Sequence, residues 1–514
     1  MLMLAEAAKQ VPDDTIPELL GRHRSGTATS GPGLAIGTPS SLLTQGAAAN
    51  DIQTQHEVQD ALRAWSKMRM VRAGWFTAQE AMDYVQYFYD RLAPMTPITT
   101  PDFKSPSKHA SLLTDEPVLA LTILAISSRH LRPKGYSVIS RSYEIHSKLW
   151  ASLRRMVERL LWGQEQFGGG FCGSGATRIH ESTGGQFTWK GSLRTLGTIE
   201  ALLLLTDWQP RALHFPPGDD DNRLLDGSLD STTDVNGSYD RENDLPSTNI
   251  YESLPYASWL EPAWRSDRMS WMLLGTAQAL AFELGVFDTG ARRQQQDSAA
   301  DHVRKERIRR MVLVYVAQTS GRIGIPSMLD LPDCDDASFE LAAMRRVGQS
   351  ADDIMQNCWV HIASIMYSAN INIFPSRQHT KNLTSNGKYK EVIAEFAPRL
   401  KKWKSNFDQV STHFRPSMRH ILRMEYEYAR LYINSLGLQR VVESWVEHGS
   451  SMQKAMMVRI VDENKRYIDE VTDAAHSILT TVLTGLSQEG RLADAPVRTY
   501  LRTLSGMMFT LKVS

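Results

Sequence analysis

The stretch that most constrains the fold runs from Gly191 to Pro217, where Ile199, Ala201, Leu202, Leu203, Leu204 and Leu205 are interrupted only by Glu200 and followed by Asp207, Trp208, Gln209 and Pro210. A helix over this run is apolar nearly all round, and Pro210 ends it, because proline has no N–H to give to the next turn. Such a helix has no solvent face and belongs in the middle of a core. The polar residues that close it, Asp207, Arg211 and His214, then need partners. Three titratable groups this close admit an acid–base cluster, but a structural polar corner closing the helix is the preferred reading.

The rest of the chain reads as helix. Thr77 and Glu80 form a capping-box pair before Ala81, Met82 and Tyr84, and that helix should run on through Tyr87, Phe88 and Leu92 to Pro94. Asp115, Glu116 and Pro117 mark another start, since proline suits the first helical position. Ile145, Leu149, Leu153, Met156 and Leu160 recur every three or four residues. A second core helix is read at Met269–Phe287, with Met269, Leu273, Ala277, Leu280, Leu284 and Phe287 on one face and Gly285 near its stop. Further helices are expected from Ile362 to Ile373, from Tyr389 to Phe396 before Pro398, from Met418 to Val442, and from Arg498 to the end.

Residues 1–55 are rich in Ser, Thr, Gly, Ala and Pro and are read as a disordered linker. The remaining 56–514 are read as one all-α domain with disordered insertions at about 163–190 and 218–248. Gly168, Gly170 and Gly173 satisfy G-x-G-x-x-G, but no strand precedes them and no helix follows, so a loop is favoured over a dinucleotide site. Asp219, Asp220 and Asp221 are read as a solvated loop rather than as metal ligands.

Lysine plus arginine and aspartate plus glutamate both total 57, so no global positive field points to nucleic acid or a membrane surface. The basic run Arg304, Lys305, Arg307, Arg309 and Arg310 is interrupted by Glu306 and reads as a solvated helix face. In Lys401-Lys402-Trp403-Lys404 the tryptophan is expected on the core beneath its lysines, not stacked on a base. Asn434 and Gln439 are expected to be satisfied by neighbouring helices. Three cysteines, Cys172, Cys334 and Cys358, lie far apart without CxxC spacing, which excludes a disulfide framework and a cysteine-built zinc site in this chain. The first eight residues lack the pattern of a signal peptide, no apolar run approaches the roughly 20 residues of a membrane span, and no hydrolase elbow, Walker loop, zinc-protease helix or EF-hand occurs. No catalytic, cofactor-binding or metal residue is therefore nominated, and the chain is not read as an enzyme.

Several separate segments, in order, resemble the fungal-specific transcription factor domain, the regulatory middle region of zinc binuclear cluster regulators. They are Tyr87 to His130 with its Pro94, Pro97, Asp102-Phe103 and Glu116-Pro117; the leucine run closed by Asp207-Trp-Gln-Pro-Arg-Ala-Leu-His-Phe-Pro-Pro217; Trp271-Met-Leu-Leu-Gly275 through Glu283-Leu284-Gly285; Ser320 to Leu329; and Glu425 to Gln439. The resemblance implies an all-α regulatory body in which Leu203, Trp208, Arg211, His214, Trp271, Gly275 and Leu284 form the structural and regulatory core. It implies a nuclear regulator of RNA polymerase II transcription, with wording nearest to activators of nitrogen-source or aromatic amino acid catabolism. Its partners would be the transcription machinery, with room for a small-molecule effector and a homodimer, and no membrane. The family's six-cysteine zinc module is absent from this sequence, so zinc and DNA contact would belong to a missing or partner module. The competing reading is an all-helical small-molecule-binding protein or enzyme with a pocket near Trp208, His214 and Trp271.

Overall fold

The computed structural model describes residues 41–132, 138–165, 180–181, 187–188, 192–214, 257–288, 297–331, 350–448 and 454–513. The first forty residues of the expected linker, most of the 163–190 insertion and all of the 218–248 one, the Gly168–Gly173 motif, the Asp219–Asp221 cluster, Cys172 and Cys334 lie outside them. The chain divides into two units, Met1–Gln59 with Val235–Pro262, and Asp60–Asp234 with Ala263–Ser514. Within the first unit the described parts are helical; the second holds the candidate site.

The all-α expectation holds. In order the helices are α1 (Ser41–Ser66), α2 (Arg69–Arg72), α3 (Ala78–Tyr87), α4 (His109–Asp115), α5 (Pro117–His130), α6 (Val138–Leu161), α7 (Leu196–Asp207), α8 (Ala257–Glu283), α9 (Ala299–Ile323), α10 (Ala351–Ile373), α11 (Arg377–Ser385), α12 (Tyr389–Val410), α13 (Pro416–His448), α14 (Lys454–Thr481) and α15 (Val497–Val513). Strand pairing among the described residues is confined to a two-residue antiparallel ladder, β1 (His180–Glu181) with β2 (Phe187–Thr188). Among the described residues no single helix is long and apolar enough to cross a membrane.

Local chemistry sets many of the boundaries. Thr77 accepts from the Glu80 amide while Glu80 accepts from the Thr77 amide, the complete capping box at the start of α3. Past Tyr87 the chain widens into a π turn at Phe88–Leu92 and a 3-10 turn at Ala93–Met95, where Pro94 stops it. Pro117 occupies the first turn of α5. The helix α1 begins at Ser41, inside the stretch 1–55 read as a disordered linker, so that reading is corrected over 41–55; the alanines at 47–49 are strong helix formers and carry the turn backwards.

The leucine helix α7 is buried from Gly197 to Asp207, as its composition requires. It packs against α5, α9 and α15. Each fully buried leucine there contributes roughly 1.5–3 kcal/mol, so this helix anchors the core. A second layer is built from α13, α14 and α15, where α13 and α14 approach closely over Gly437.

Two elements differ from expectation. On α8 the buried residues are Ser266, Ser270, Leu274, Ala277, Leu280 and Ala281, so Ala277 and Leu280 face the core as expected while Met269, Leu273, Leu284 and Phe287 are only half-buried. Apolar residues lie on more than one side of this helix, and Ser266, Ser270 and Ala281 turn the packed face away from the one that periodicity marks. Meanwhile α12 runs through Pro398 to Val410 instead of stopping before it. A mid-helix proline costs about 3 kcal/mol, which burial of Leu400, Trp403, Phe407 and Val410 beyond it exceeds.

Candidate functional site

A helix buried on every side cannot hydrate its polar side chains, so Glu200 and Asp207 of α7 must be paired. Glu200 accepts from Arg304 Nε and one terminal nitrogen at 2.8 Å each, and Arg304 also reaches Glu116 Oε1 at 2.7 Å. Gly197 makes room for this, since its amide donates to Glu116 Oε2 at 3.1 Å and a Cβ there would collide with that carboxylate. Burial alone would depress Arg304, but the two carboxylates hold it well above the ordinary range.

Asp207 lies at the other end of the helix. Its Oδ1 accepts from Arg498 Nε at 3.0 Å, and its Oδ2 accepts from the Thr96 and Tyr315 hydroxyls at 2.7 Å each. Arg498 continues to Gln318 Oε1 at 3.3 Å, Gln318 donates to Glu425 Oε2 at 3.4 Å, and Arg502 grips Glu425 at 3.1 and 2.9 Å. Both guanidiniums lie over aromatic rings, Arg498 at 4.0 Å from the Tyr315 centroid and Arg502 at 3.7 Å from that of Tyr428. Burial first, and then the Asp207 charge, push the Tyr315 phenol far above its usual range. The network therefore pairs two arginines with two carboxylates inside the core. A cavity of about 10 Å³ between Asp207, Gln318, Arg322 and Arg498 has room for at most one water.

The chain leaves α7 through Trp208, whose indole donates to the Asp494 carbonyl at 3.0 Å, and Gln209, whose amide donates to Ser266 O at 3.0 Å and Ser270 Oγ at 3.1 Å. Pro210 and the 3-10 turn Arg211–His214 follow. Here the electrostatics reverse. Arg129, at the end of α5, donates to the Gln209 carbonyl. His146 of α6 donates from Nδ1 to Ala125 O at 2.9 Å and accepts the Arg211 amide on Nε2 at 3.3 Å, which fixes it as the neutral ring. Arg211 lies over Tyr143, 3.3 Å from the ring centroid, and Arg265 donates to Leu213 O at 3.3 Å. Burial first and the Arg129 charge second push His146 down to about 4. His214 falls for the same reasons, with Arg265 and Arg211 adding to the effect. Burial and the neighbouring Arg211 lower Arg129 itself to about 10.

The polar corner read from the sequence is thus two sites. Asp207 turns inward to Arg498, while Arg211 and His214 face a basic cluster, so no acid–base cluster of the three forms. Leu203 and Trp208 lie in the core, at 0% and 3% exposure. Trp271, Gly275 and Leu284 are half-buried on α8, and a Cβ on Gly275 would make only ordinary contact, 3.9 Å from Met328 Sδ. Among the described residues, Trp208, His214 and Trp271 share no hydrogen bond or ring contact, and no group of His, Cys, Asp and Glu is placed to hold a metal ion. The basic run on α9 is not a solvated face. Arg304 is buried as above, Lys305 pairs with Asp297 at 2.7 Å, and Arg307 and Arg310 pair with Asp353 at 2.9 and 3.3 Å. Trp403 is buried, donating to Cys358 O at 2.9 Å between the rings of Phe407 and Tyr426. Asn434 and Gln439 bond within their own helix, to Arg430 O and Glu443.

Sequence reasoning missed Arg129, His146, Tyr315, Gln318, Glu425, Arg498 and Arg502 as site residues. One signal was present: Arg498 and Arg502 stand one turn apart on the same face of their helix.

Compared with known proteins, the chain is 31% identical over 519 aligned residues to a protein named transcription factor hmgR from Aspergillus fumigatus. The alignment covers 98% of this chain, which spans 65% of the length of that relative. No family model matches the chain, and no solved structure does.

Proposed function

We propose that this chain is a regulatory, effector-responsive portion of a fungal transcription regulator acting on RNA polymerase II promoters. The single observation that carries this reading is the 31% identity, sustained over nearly the whole chain, to a protein named as a transcription factor. An all-helical body whose central carboxylates Glu200, Asp207 and Glu425 are each paired with an arginine is consistent with a sensing role.

The finer reading is that the domain is the fungal-specific transcription factor domain, that it works in the nucleus with the transcription machinery, and that it controls nitrogen-source or amino acid catabolism. That reading rests on the segments quoted from the sequence. Contact with DNA would come from a zinc cluster on another segment or on a partner, because the three cysteines here cannot supply six ligands, and Cys358, the one described, is buried with its thiol pushed up to about 12 by burial. A fusion of this chain to a heterologous DNA-binding module should change reporter transcription when the nitrogen source or amino acid supply changes. A folded, nuclear fusion whose reporter output never departs from that of the DNA-binding module alone would overturn the proposal.

A further inference from the structure

The buried arginines of the core are matched by carboxylates: Arg304 by Glu116 and Glu200, Arg498 by Asp207, Arg502 by Glu425. Arg129 and Arg211 are not. Among the described residues neither guanidinium forms an ion pair; Arg129 has only the Gln209 carbonyl, and Arg211 has only the face of Tyr143. Asp494, next to His130 at 3.5 Å, is occupied by Arg91 Nε at 2.8 Å and the Tyr87 hydroxyl at 2.6 Å.

A guanidinium stacked on a ring has its face covered and its in-plane N–H groups directed outward, the edge that binds a carboxylate or phosphate with two parallel hydrogen bonds. Arg265 adds a third positive charge from α8, and the His214 imidazole lies in the field of all three arginines. Holding like charges together in a half-buried corner costs free energy that an anion would return. Burial first, and the neighbouring arginine charges second, lower Arg129, His146 and His214.

We propose that the corner formed by Arg129, Arg211, Arg265 and His214 binds a small oxyanion, the carboxylate or phosphate group of a metabolite. The site deepens the regulatory reading by naming the chemical class of the effector, and only its role as effector rests on that reading; the binding itself does not. The bound group would sit against the in-plane edge of Arg211 and the free N–H groups of Arg129, beside the turn that joins the leucine helix to the rest of the body.

The test uses the purified full chain in equilibrium dialysis against labelled inorganic phosphate and, separately, labelled succinate, at physiological ionic strength. Saturable uptake of one anion per chain is expected for at least one probe. Arg211→Gln should weaken it about tenfold or more, the loss of a charge-assisted contact, and Arg129→Gln similarly. Arg459→Gln, at an exposed position on α14, should leave it unchanged. Because Arg129 is largely enclosed, Arg211→Gln on the half-exposed turn carries the decision, with helical circular dichroism confirming that it folds. Preference for succinate identifies a carboxylate effector, and preference for phosphate identifies a phosphate ester. No saturable uptake of either probe, or uptake indifferent to Arg211→Gln, overturns the inference. Arg211-dependent binding with a silent reporter fusion would instead overturn the regulatory reading alone.

Discussion

The strongest structural claim is that the last helix is bolted into the core by charge, and Arg498→Met tests it. The Arg498 and Asp207 side chains are 7% and 1% exposed. The substitution leaves Asp207 buried with the Thr96 and Tyr315 hydroxyls as its only donors, strands Gln318 Oε1, and removes the cation from the faces of Tyr315 and Trp359. Removing one partner of a buried pair costs about 3–5 kcal/mol, because the remaining charge keeps its desolvation penalty. Asp207→Asn should cost a comparable amount by stranding Arg498. If both penalties arise from one interaction, the double variant must be less destabilised than the two singles together, by about 2 kcal/mol or more. Urea unfolding followed by helical circular dichroism reads all three variants, provided the slopes agree so that the same surface is being exposed. Strict additivity, or a cost below about 1 kcal/mol for Arg498→Met, would refute the argument and make the network incidental to the fold.

Other consequences follow from single contacts. His146 is held neutral with its folded value pushed down to about 4, against 6.5 in the unfolded chain, so the unfolded state binds the extra proton between those values. Stability should therefore fall as pH drops through that window, by roughly 3 kcal/mol from this group once pH 4 is reached, and His146→Asn, which keeps a donor for the Ala125 carbonyl, should flatten the slope in pH-dependent urea unfolding; an unchanged slope would show that His146 is not its source. Arg304→Met should destabilise by about 3–5 kcal/mol at neutral pH by leaving Glu200 and Glu116 uncompensated. Burial already raises Glu200 above its ordinary value, so the deficit relative to wild type should shrink as pH falls and that carboxylate takes up a proton. Gly437→Ala gains about 1 kcal/mol of helix propensity, yet its Cβ would stand 2.5 Å from Tyr467 Cβ. A net loss of about 1–3 kcal/mol is expected from overpacking between α13 and α14, and a rise in the thermal midpoint would contradict that close approach.

What could be read from the sequence was what neighbouring residues decide. The capping box at Thr77 and Glu80, the proline start at Pro117 and the all-round burial of Ile199–Leu205 each depend on contacts within a turn or two, or on composition alone. Two failures also have local causes. The proline penalty at Pro398 is local, whereas the Trp403 and Phe407 burial that offsets it is tertiary, and on α8 the apolar residues outnumber any one face, so periodicity does not choose Leu274 over Leu273. The charged site was beyond reach for a different reason. Arg304 and Glu200 are 104 positions apart, and Arg498 and Asp207 are 291 apart. A basic run beside an isolated acid looks like solvated surface until the fold joins them. The sequence marks Arg211 and His214 as polar residues after the leucine helix, but which charge each faces depends on α5, α6 and α8 arriving from elsewhere in the chain.

The few residues after the leucine helix join two electrostatic regimes, and this bears on how such a body could respond. Asp207 belongs to a matched network in which every charge has its opposite, an arrangement that resists change because breaking any pair strands the other member. Arg211, one turn further on, belongs to a cluster of cations whose free energy a bound anion would lower. Between them stands Gln209, whose carbonyl accepts from Arg129 and whose amide grips Ser266 and Ser270. An anion drawing Arg129 and Arg211 towards itself would compete with that carbonyl before it could disturb the leucine core. The response would therefore pass to the Ser266–Ser270 turn of α8 through Gln209 and leave the Asp207–Arg498 pair in place. Ligand binding can shift one contact only if its neighbours do not yield with it, and the paired core supplies that resistance.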